Sequence, residues 1–278
     1  MQAAHGLLRR RRGLAHNRFA YNERGKSVEI VRIAAATVAL GLAGMLSACG
    51  GGGEDLTTQS AAGLWNGSTD AQREVNAVTL SDGRYFAVFS GVNAGATIGG
   101  GVQGTATASG EDTLSSTDLL SFSVESAGAT TTGTFTAQVV PKFALSGTAT
   151  VAGQTTASVQ AHYESDFERP ATLAGVAGSY AGEAGFALGI RPATFNIAAN
   201  GAVTSTINGC DIAGNVAPRT EGNVFDLSVT FSGPPCVLPN LTFTGVVFLR
   251  KDGQQLYSVS RNTAVRQTII FTGLKQPA

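Results

Sequence analysis

From about residue 60 onward, hydrophobic and polar residues alternate with a period of two, and no segment sustains the 3.6-residue apolar period of an amphipathic helix. The run Val224-Phe225-Asp226-Leu227-Ser228-Val229-Thr230-Phe231 puts Phe225, Leu227, Val229 and Phe231 on one face and Asp226, Ser228 and Thr230 on the other. Leu120, Phe122 and Val124 alternate with Ser121, Ser123 and Glu125 in the same way. Such strands pack one face on a core and turn the other to water, as antiparallel sheets allow. Turn chemistry falls where they should reverse: Asp82-Gly83 separates VNAVTL from RYFAVFS, Asn200-Gly201 separates ATFNIA from AVTSTI, and Asp252-Gly253 separates TGVVFLR from QQLYSVS. Positive φ at these turns is cheap for glycine and tolerable for Asn or Asp. The pattern predicts an all-β fold, an antiparallel β-barrel or sandwich.

The pattern also restarts. Asp166–Ala174 reads as a linker entering a short helix, and on either side stand Gly63-Leu64-Trp65-Asn66-Gly67 and Gly178-Ser179-Tyr180-Ala181-Gly182, both glycine-x-aromatic-x-glycine followed by strands and a hairpin turn. Two related β units are expected, 61–168 and 169–278, either fused into one barrel or standing as two lobes, with Trp65 and Tyr180 at equivalent barrel-end positions. Aromatic residues are 7% of the sequence and small residues abound, so a core filled by side chains is expected rather than a roomy pocket.

At the amino terminus, Ile33–Ala48 (IAAATVALGLAGMLSA) is sixteen residues without a charge, preceded by Arg32 and the basic run Arg9–Arg12, the layout of an export signal. As a helix it would extend roughly 24 Å, short of the roughly 20 residues that span a bilayer, so a cleaved signal is expected. Its end, Leu46-Ser47-Ala48-Cys49, resembles the bacterial lipobox. That resemblance implies diacylglycerol on the Cys49 thiol, cleavage after Ala48 and acylation of the new amino group. Several acyl chains at about 0.8 kcal/mol per buried methylene then hold the chain on a membrane. Residues 1–48 are read as signal peptide, with 1–27 an over-extended start because Val28 could open a compact signal. Residues 49–60, including Gly50-Gly51-Gly52-Gly53-Glu54-Asp55, are read as a flexible lipidated tether. By similarity to enterobacterial sorting, a residue other than Asp after the cysteine points to the outer membrane, on its periplasmic or its surface face.

Removing the signal changes the charge. Eight of the 19 basic residues but two of the 19 acidic ones precede Cys49, which leaves 11 against 17, formally −6. A nucleic-acid partner is disfavoured, because phosphate neutralisation needs a basic surface. His162 is the one histidine after Cys49, too few for an imidazole-rich zinc site. Cys210 and Cys236 remain beside the lipid site. In an oxidising envelope they read as a disulfide, tying the strand after Asn200-Gly201 to the loop at Gly233-Pro234-Pro235 and contributing roughly 3–4 kcal/mol through a loop of about 27 residues; two buried free thiols are the alternative.

The chemical motifs are weak. Gly99-Gly100-Gly101-Val102-Gln103-Gly104 matches G-x-G-x-x-G, but a dinucleotide site needs it between a strand and a helix. Here the run continues into a threonine-rich strand, so a glycine-rich loop or bend is expected. A serine hydrolase would need G-x-S-x-G, which is absent, and a histidine base. His162 has Glu164 and Asp166 nearby, yet reads as an edge residue. Glu164, Asp166 and Glu168 alternate as if on one strand face and read as a solvated edge that discourages pairing between molecules. Trp65, Tyr85, Tyr163, Tyr180 and Tyr257 are candidate recognition aromatics or core residues. No catalytic residue, metal site or cofactor is expected.

Two further likenesses frame the function. The Gly63-Leu64-Trp65 opening resembles that of the calycin superfamily, in which the tryptophan caps the barrel end against a basic residue of the last strands; Arg261 and Arg266 lie in that region. The two-unit layout behind a lipidated terminus is similar to the β-barrel lipoproteins of bacterial surfaces. The expected role is a non-catalytic binding or structural module of the envelope, with a protein or glycan partner; the alternative is a calycin-like carrier of a small apolar ligand.

Overall fold

A computed structural model describes residues 57–58, 60–151 and 157–277. The export segment, the lipobox with Cys49 and the glycine run after it lie outside the described residues. The first group of strands comprises β1 (Gly63–Thr69), β2 (Glu74–Thr79), β3 (Arg84–Gly91), β4 (Ala94–Thr105), β5 (Thr107–Ser109), β6 (Thr113–Ser123), β7 (Ala129–Val140), β8 (Ala144–Val151) and β9 (Ala157–Tyr163). They form one antiparallel sheet in the order β4-β3-β2-β1-β9-β8-β7-β6-β5. Pairing of β4 with β6, from Gly100↔Ser123 to Gln103↔Leu120, closes it into an eight-stranded barrel and leaves β5 as a short offshoot on β6.

The second group is β10 (Gly178–Phe186), β11 (Gly189–Ile197), β12 (Ala202–Ile207), β13 (Cys210–Pro218), β14 (Val224–Phe231), β15 (Thr242–Arg250), β16 (Gln255–Asn262) and β17 (Gln267–Lys275). Each pairs with the next, and β10 with β17, in a second closed barrel. Of the two arrangements open from sequence, the chain adopts two barrels. Closure leaves the second barrel without an open edge and the first with only the three-residue β5, and the strands turn at Asp82-Gly83, Asn200-Gly201 and Asp252-Gly253 as their turn chemistry predicts. A 3₁₀ turn (Ser165–Glu168) and the four-residue helix α1 (Leu173–Val176) connect the barrels.

Each barrel is plugged by the segment just before its first strand. Val176 of α1 is fully buried and takes a hydrogen bond on its carbonyl from the Tyr180 hydroxyl at 2.9 Å. Ala61, at the end of a turn closed by Ala61 N to Thr57 O, is fully buried in the cluster that holds Trp65. Trp65 and Tyr180 are each the third residue of a first strand that pairs with its barrel's second and last strands.

Three apolar clusters result. The interior of the second barrel includes Phe195, Phe225, Leu227, Val229, Phe231 and Phe243, so β14 presents to it the face its alternation assigned. The first barrel is filled by Trp65, Tyr85, Leu114, Val139 and Leu145 with many alanines. The third cluster belongs to neither interior. Leu64, Val78, Phe86, Val88, Ile98 and Phe122, on the outside of the first barrel, pack against Val224, Val246, Phe248, Tyr257, Val259 and Ile270, on the outside of the second. Phe122 thus sits on the outer wall, although its alternation with serine suggests a barrel core. The cause is an irregularity in β6 between Ser116 and Leu119, which turns the strand so that Leu114 faces inward and Phe122 outward. Phe248 and Tyr257 stack at 5.3 Å and 12° within this shared face. Glycine lets the walls meet: a Cβ at Gly101 would lie 2.8 Å from Ile270 Cδ1.

Polar clusters bracket the shared face at one end of the barrels. Arg250, at the end of β15, is 7% exposed; its guanidinium donates to Asn76 Oδ1 of β2 and, at 2.9 Å, to Glu164 Oε1, with Glu74 Oε1 at 3.8 Å. Arg219 reaches Asp226 at 2.9 Å, Glu221 at 3.2 Å and Asp82 of the first barrel at 3.5 Å, while Glu221 accepts from Ser81 N. Burial alone would lower the Arg219 pKa, but the hydrogen bonds to Asp226 and Glu221 and the charges of Asp226 and Asp82 outweigh it and raise it.

Candidate binding surfaces

The barrel interiors offer little room. The cavity inside the second barrel, among Phe195, Ser205, Leu227, Phe231, Ser258 and Phe271, holds about 20 Å³, room for about one water. In the first barrel, Trp65 is 1% exposed and meets Tyr163 edge-on at 5.6 Å. The Trp65 Nε1–H is buried without a protein acceptor. Tyr85 is also enclosed: its hydroxyl lies 3.0 Å from Ser116 Oγ, and burial pushes its pKa up to about 12. Burial does the same to Tyr180 and Tyr257. Of the five aromatics singled out in the sequence, Trp65, Tyr85, Tyr180 and Tyr257 are buried and none of these offers a free face.

The acidic run near His162 is rearranged relative to its sequence reading. His162 is exposed on β9. Glu164, Asp166 and Glu168 do not share a strand face, because the chain leaves β9 at Tyr163 and turns into the 3₁₀ segment. Each carboxylate has its own partner: Glu164 takes Arg250; Asp166, buried, pairs with Arg169 at 3.3 Å and accepts from Asp252 N at 3.3 Å; Glu168 takes the Tyr163 hydroxyl and Lys142 at 2.9 Å. They clamp the inter-barrel linker instead of forming a solvated edge. The two hydrogen bonds hold the Glu168 carboxyl below its usual range, and burial and Glu168 together push the Tyr163 phenol up. Among the described residues no group of three His, Cys, Asp or Glu side chains is placed to hold a metal ion.

The glycine-rich run Gly99–Gly104 is also a correction: it lies within strand β4, not in a loop, and ladders to both β3 and β6. Its glycines permit close passage, since a Cβ at Gly100 would fall 2.1 Å from Phe122 O. Arg261 and Arg266 do not back Trp65 as the calycin likeness implied. They belong to the second barrel and line a furrow between the barrels, while the cation nearest an end aromatic is Lys275, with Nζ 5.7 Å from the Tyr180 ring centre.

Cys210 and Cys236 form a disulfide with Cα atoms 4.6 Å apart. Cys210 opens β13, one strand later than the sequence suggested, and the bond pins the 232–241 loop across the end of the second barrel. Beside it, Phe186, Leu188, Phe231, Pro235, Val237 and Leu238 line a hollow of about 180 Å³. Leu188 is 52% exposed and Val237 67%.

Two open spaces lie in the furrow between the barrels. One stretch, about 550 Å³, is lined by Leu120, Thr130 and Thr132 of the first barrel and Arg261, Val265 and Arg266 of the second. A second, about 540 Å³, continues past Arg261 to Gln103, Asn215, Ser228 and Thr244. The sequence singles out these arginines through a family likeness but gives no sign of the furrow, which exists only once two outer walls meet.

No family model and no curated protein matches the sequence. Among solved structures, the chain is similar to the isotype 1 transferrin binding protein B from serogroup B Neisseria meningitidis, at 9% identity and a TM-score of 0.30, over 74% of this chain and 66% of that one.

Proposed function

We propose that this protein is a lipid-anchored, non-catalytic module of the bacterial envelope, held through Cys49 on the outer membrane and binding a protein or glycan partner through its outer surface. The packing of the second barrel is the observation that carries the reading: with about 20 Å³ free among Phe195, Leu227 and Phe271, against roughly 300 Å³ for the smallest usual ligand pockets, that barrel serves as a rigid support, not a container. The disulfide suits an oxidising compartment. Residue 57 and the clamps at Arg219 and Arg250 lie toward one end of the barrels, and the disulfide-pinned loop, Leu188 and Val237 toward the other.

Crosslinking in cells, with native mass spectrometry of the purified chain, tests this reading. A discrete crosslinked neighbour and no bound small molecule are expected. A co-purifying lipid lost on replacing Leu188 and Val237 would instead make the hollow near the disulfide a ligand site and favour the calycin-like carrier. Labelled-palmitate incorporation tests the anchor: it is expected in the wild type and absent from Cys49→Ser, and equal labelling would refute it.

A further inference from the structure

Arg261 stands on the outward face of β16, two residues beyond Val259 and four beyond Tyr257, both of which pack against the first barrel. The apolar row thus ends in a guanidinium at the edge of the shared face. Three other arginines near the barrel junction hold carboxylates: Arg73 pairs with Glu125 at 2.6 Å, Arg219 with three acids, Arg250 with Glu164 and Glu74, while Arg191 donates to Ile190 O. Arg261 has no such partner among the described residues. Its Nε, like those of Arg219 and Arg250, is shielded without an acceptor, but here the charge that bears on the guanidinium is a like one, Arg266. Burying a cation without an anion is unfavourable, and the residues after Cys49 include 17 acidic against 11 basic side chains that could have supplied one.

The surroundings suit an incoming anion. No carboxylate lines the stretch shared by Arg261 and Arg266, and Thr132 and Gln267 add polar groups. The one acid lining the neighbouring stretch, Asp226, is bonded to Arg219. Both barrels build the place. Thr130 Oγ1 of the first donates to Arg266 O at 3.3 Å, and Asn262 Oδ1 accepts from Ala264 N and Val265 N, fixing the turn that carries Arg266. Arg266 holds the left-handed φ of +56° there, a position glycine takes with less strain.

We propose that the inter-barrel furrow at Arg261 and Arg266 is a binding site for an oxyanion, a phosphate or carboxylate group of a small solute, gripped by the Arg261 fork and neutralised by Arg266. The inference is independent of the anchor at Cys49. A planar guanidinium matches two oxygens of such a group at once, and charge-assisted bonds of this kind gain strength where water is thin.

Arginine side-chain N–H resonances of the purified protein, titrated with inorganic phosphate and separately with citrate while sodium chloride holds ionic strength constant, test the site. Saturable shifts of two arginine signals are expected with at least one probe, and the stronger response identifies phosphate or carboxylate. Arg261→Gln should abolish the response. Arg266→Gly, which relaxes the backbone and so keeps the fold, should weaken binding about tenfold, the scale of one charge-assisted contact. Shifts that fail to saturate with both anions, that chloride alone reproduces, or that persist unchanged in Arg266→Gly would overturn the proposal.

Discussion

Replacing Phe248 with alanine tests whether the two barrels behave as one body. Phe248 is fully buried, yet it faces neither barrel's interior; it fills the shared face and stacks on Tyr257 at 5.3 Å. Returning a phenylalanine side chain to water costs up to about 3 kcal/mol. If on the order of 50 Å³ of the vacated space stays open, the cavity adds about 1 kcal/mol. Loss of the aromatic pair adds roughly 0.5–1.5 kcal/mol. The expected destabilisation is about 4 kcal/mol, in the range of large-to-small core changes, and for a chain of this size it should lower Tm by about 10 °C. Urea unfolding followed by circular dichroism measures it, with Leu274→Ala as control because Leu274 is 54% exposed. A loss below about 1 kcal/mol, or a wild type that unfolds in two separate transitions, would refute the idea that this face joins the barrels.

Three further outcomes are expected. Cys210→Ser with Cys236→Ser should lose roughly 3–4 kcal/mol by the chain-entropy argument, measured by the same unfolding curves; an unchanged midpoint would contradict it. Trp65 is the sole tryptophan and 1% exposed, so its fluorescence should be blue-shifted and resist acrylamide, and Trp65→Ala should cost about 3–5 kcal/mol; ready quenching in the folded protein would count against the packing. Tyr85, Tyr180 and Tyr257 have pKa values pushed up by burial from 10 to about 12. The folded state therefore holds those protons more tightly than the unfolded chain. The stability this gives is complete below pH 10 and disappears as pH rises through about 12, on the order of 2 kcal/mol per tyrosine. Phenolate absorbance followed from pH 9 to 13 should show these groups ionising only as the fold opens; ionisation near pH 10 with the fold intact would contradict it.

Local signals carry much of the architecture. Strand β14 and the turns at Asp82-Gly83, Asn200-Gly201 and Asp252-Gly253 are readable because alternation and positive-φ chemistry act within a few residues. The glycine-x-aromatic openings lead to Trp65 and Tyr180, the third residues of equivalent strands. The junction is less accessible, although a trace of it stands in the sequence. Val246-Val247-Phe248-Leu249 and Ile269-Ile270-Phe271 are unbroken apolar runs, as expected of strands buried on both faces. Leu64 and Trp65 show the same division: neighbours in the chain, they point to the junction and to the barrel interior. The acids near His162 mislead in sequence because the chain turns after Tyr163 and because Arg250 and Asp252, which meet Glu164 and Asp166, stand 86 residues downstream. The furrow at Arg261 depends on the meeting of two outer walls and has no local signature.

The shared face also bears on how the chain is made. Synthesis runs from the amino terminus, and the first barrel's strands are all present once Tyr163 has emerged. The strands that cover its apolar wall are complete only at Lys275, about 110 positions later. Until those strands arrive, the wall bearing Leu64, Val78, Phe86 and Phe122 has no cover. During that interval the nascent barrel is an adhesive particle whose proper cover has yet to be built, and a chain stopped after the first barrel would carry the same wall bare and tend to aggregate. The second barrel is, in this sense, a tethered escort for the first, delivered late and on the same strand of protein.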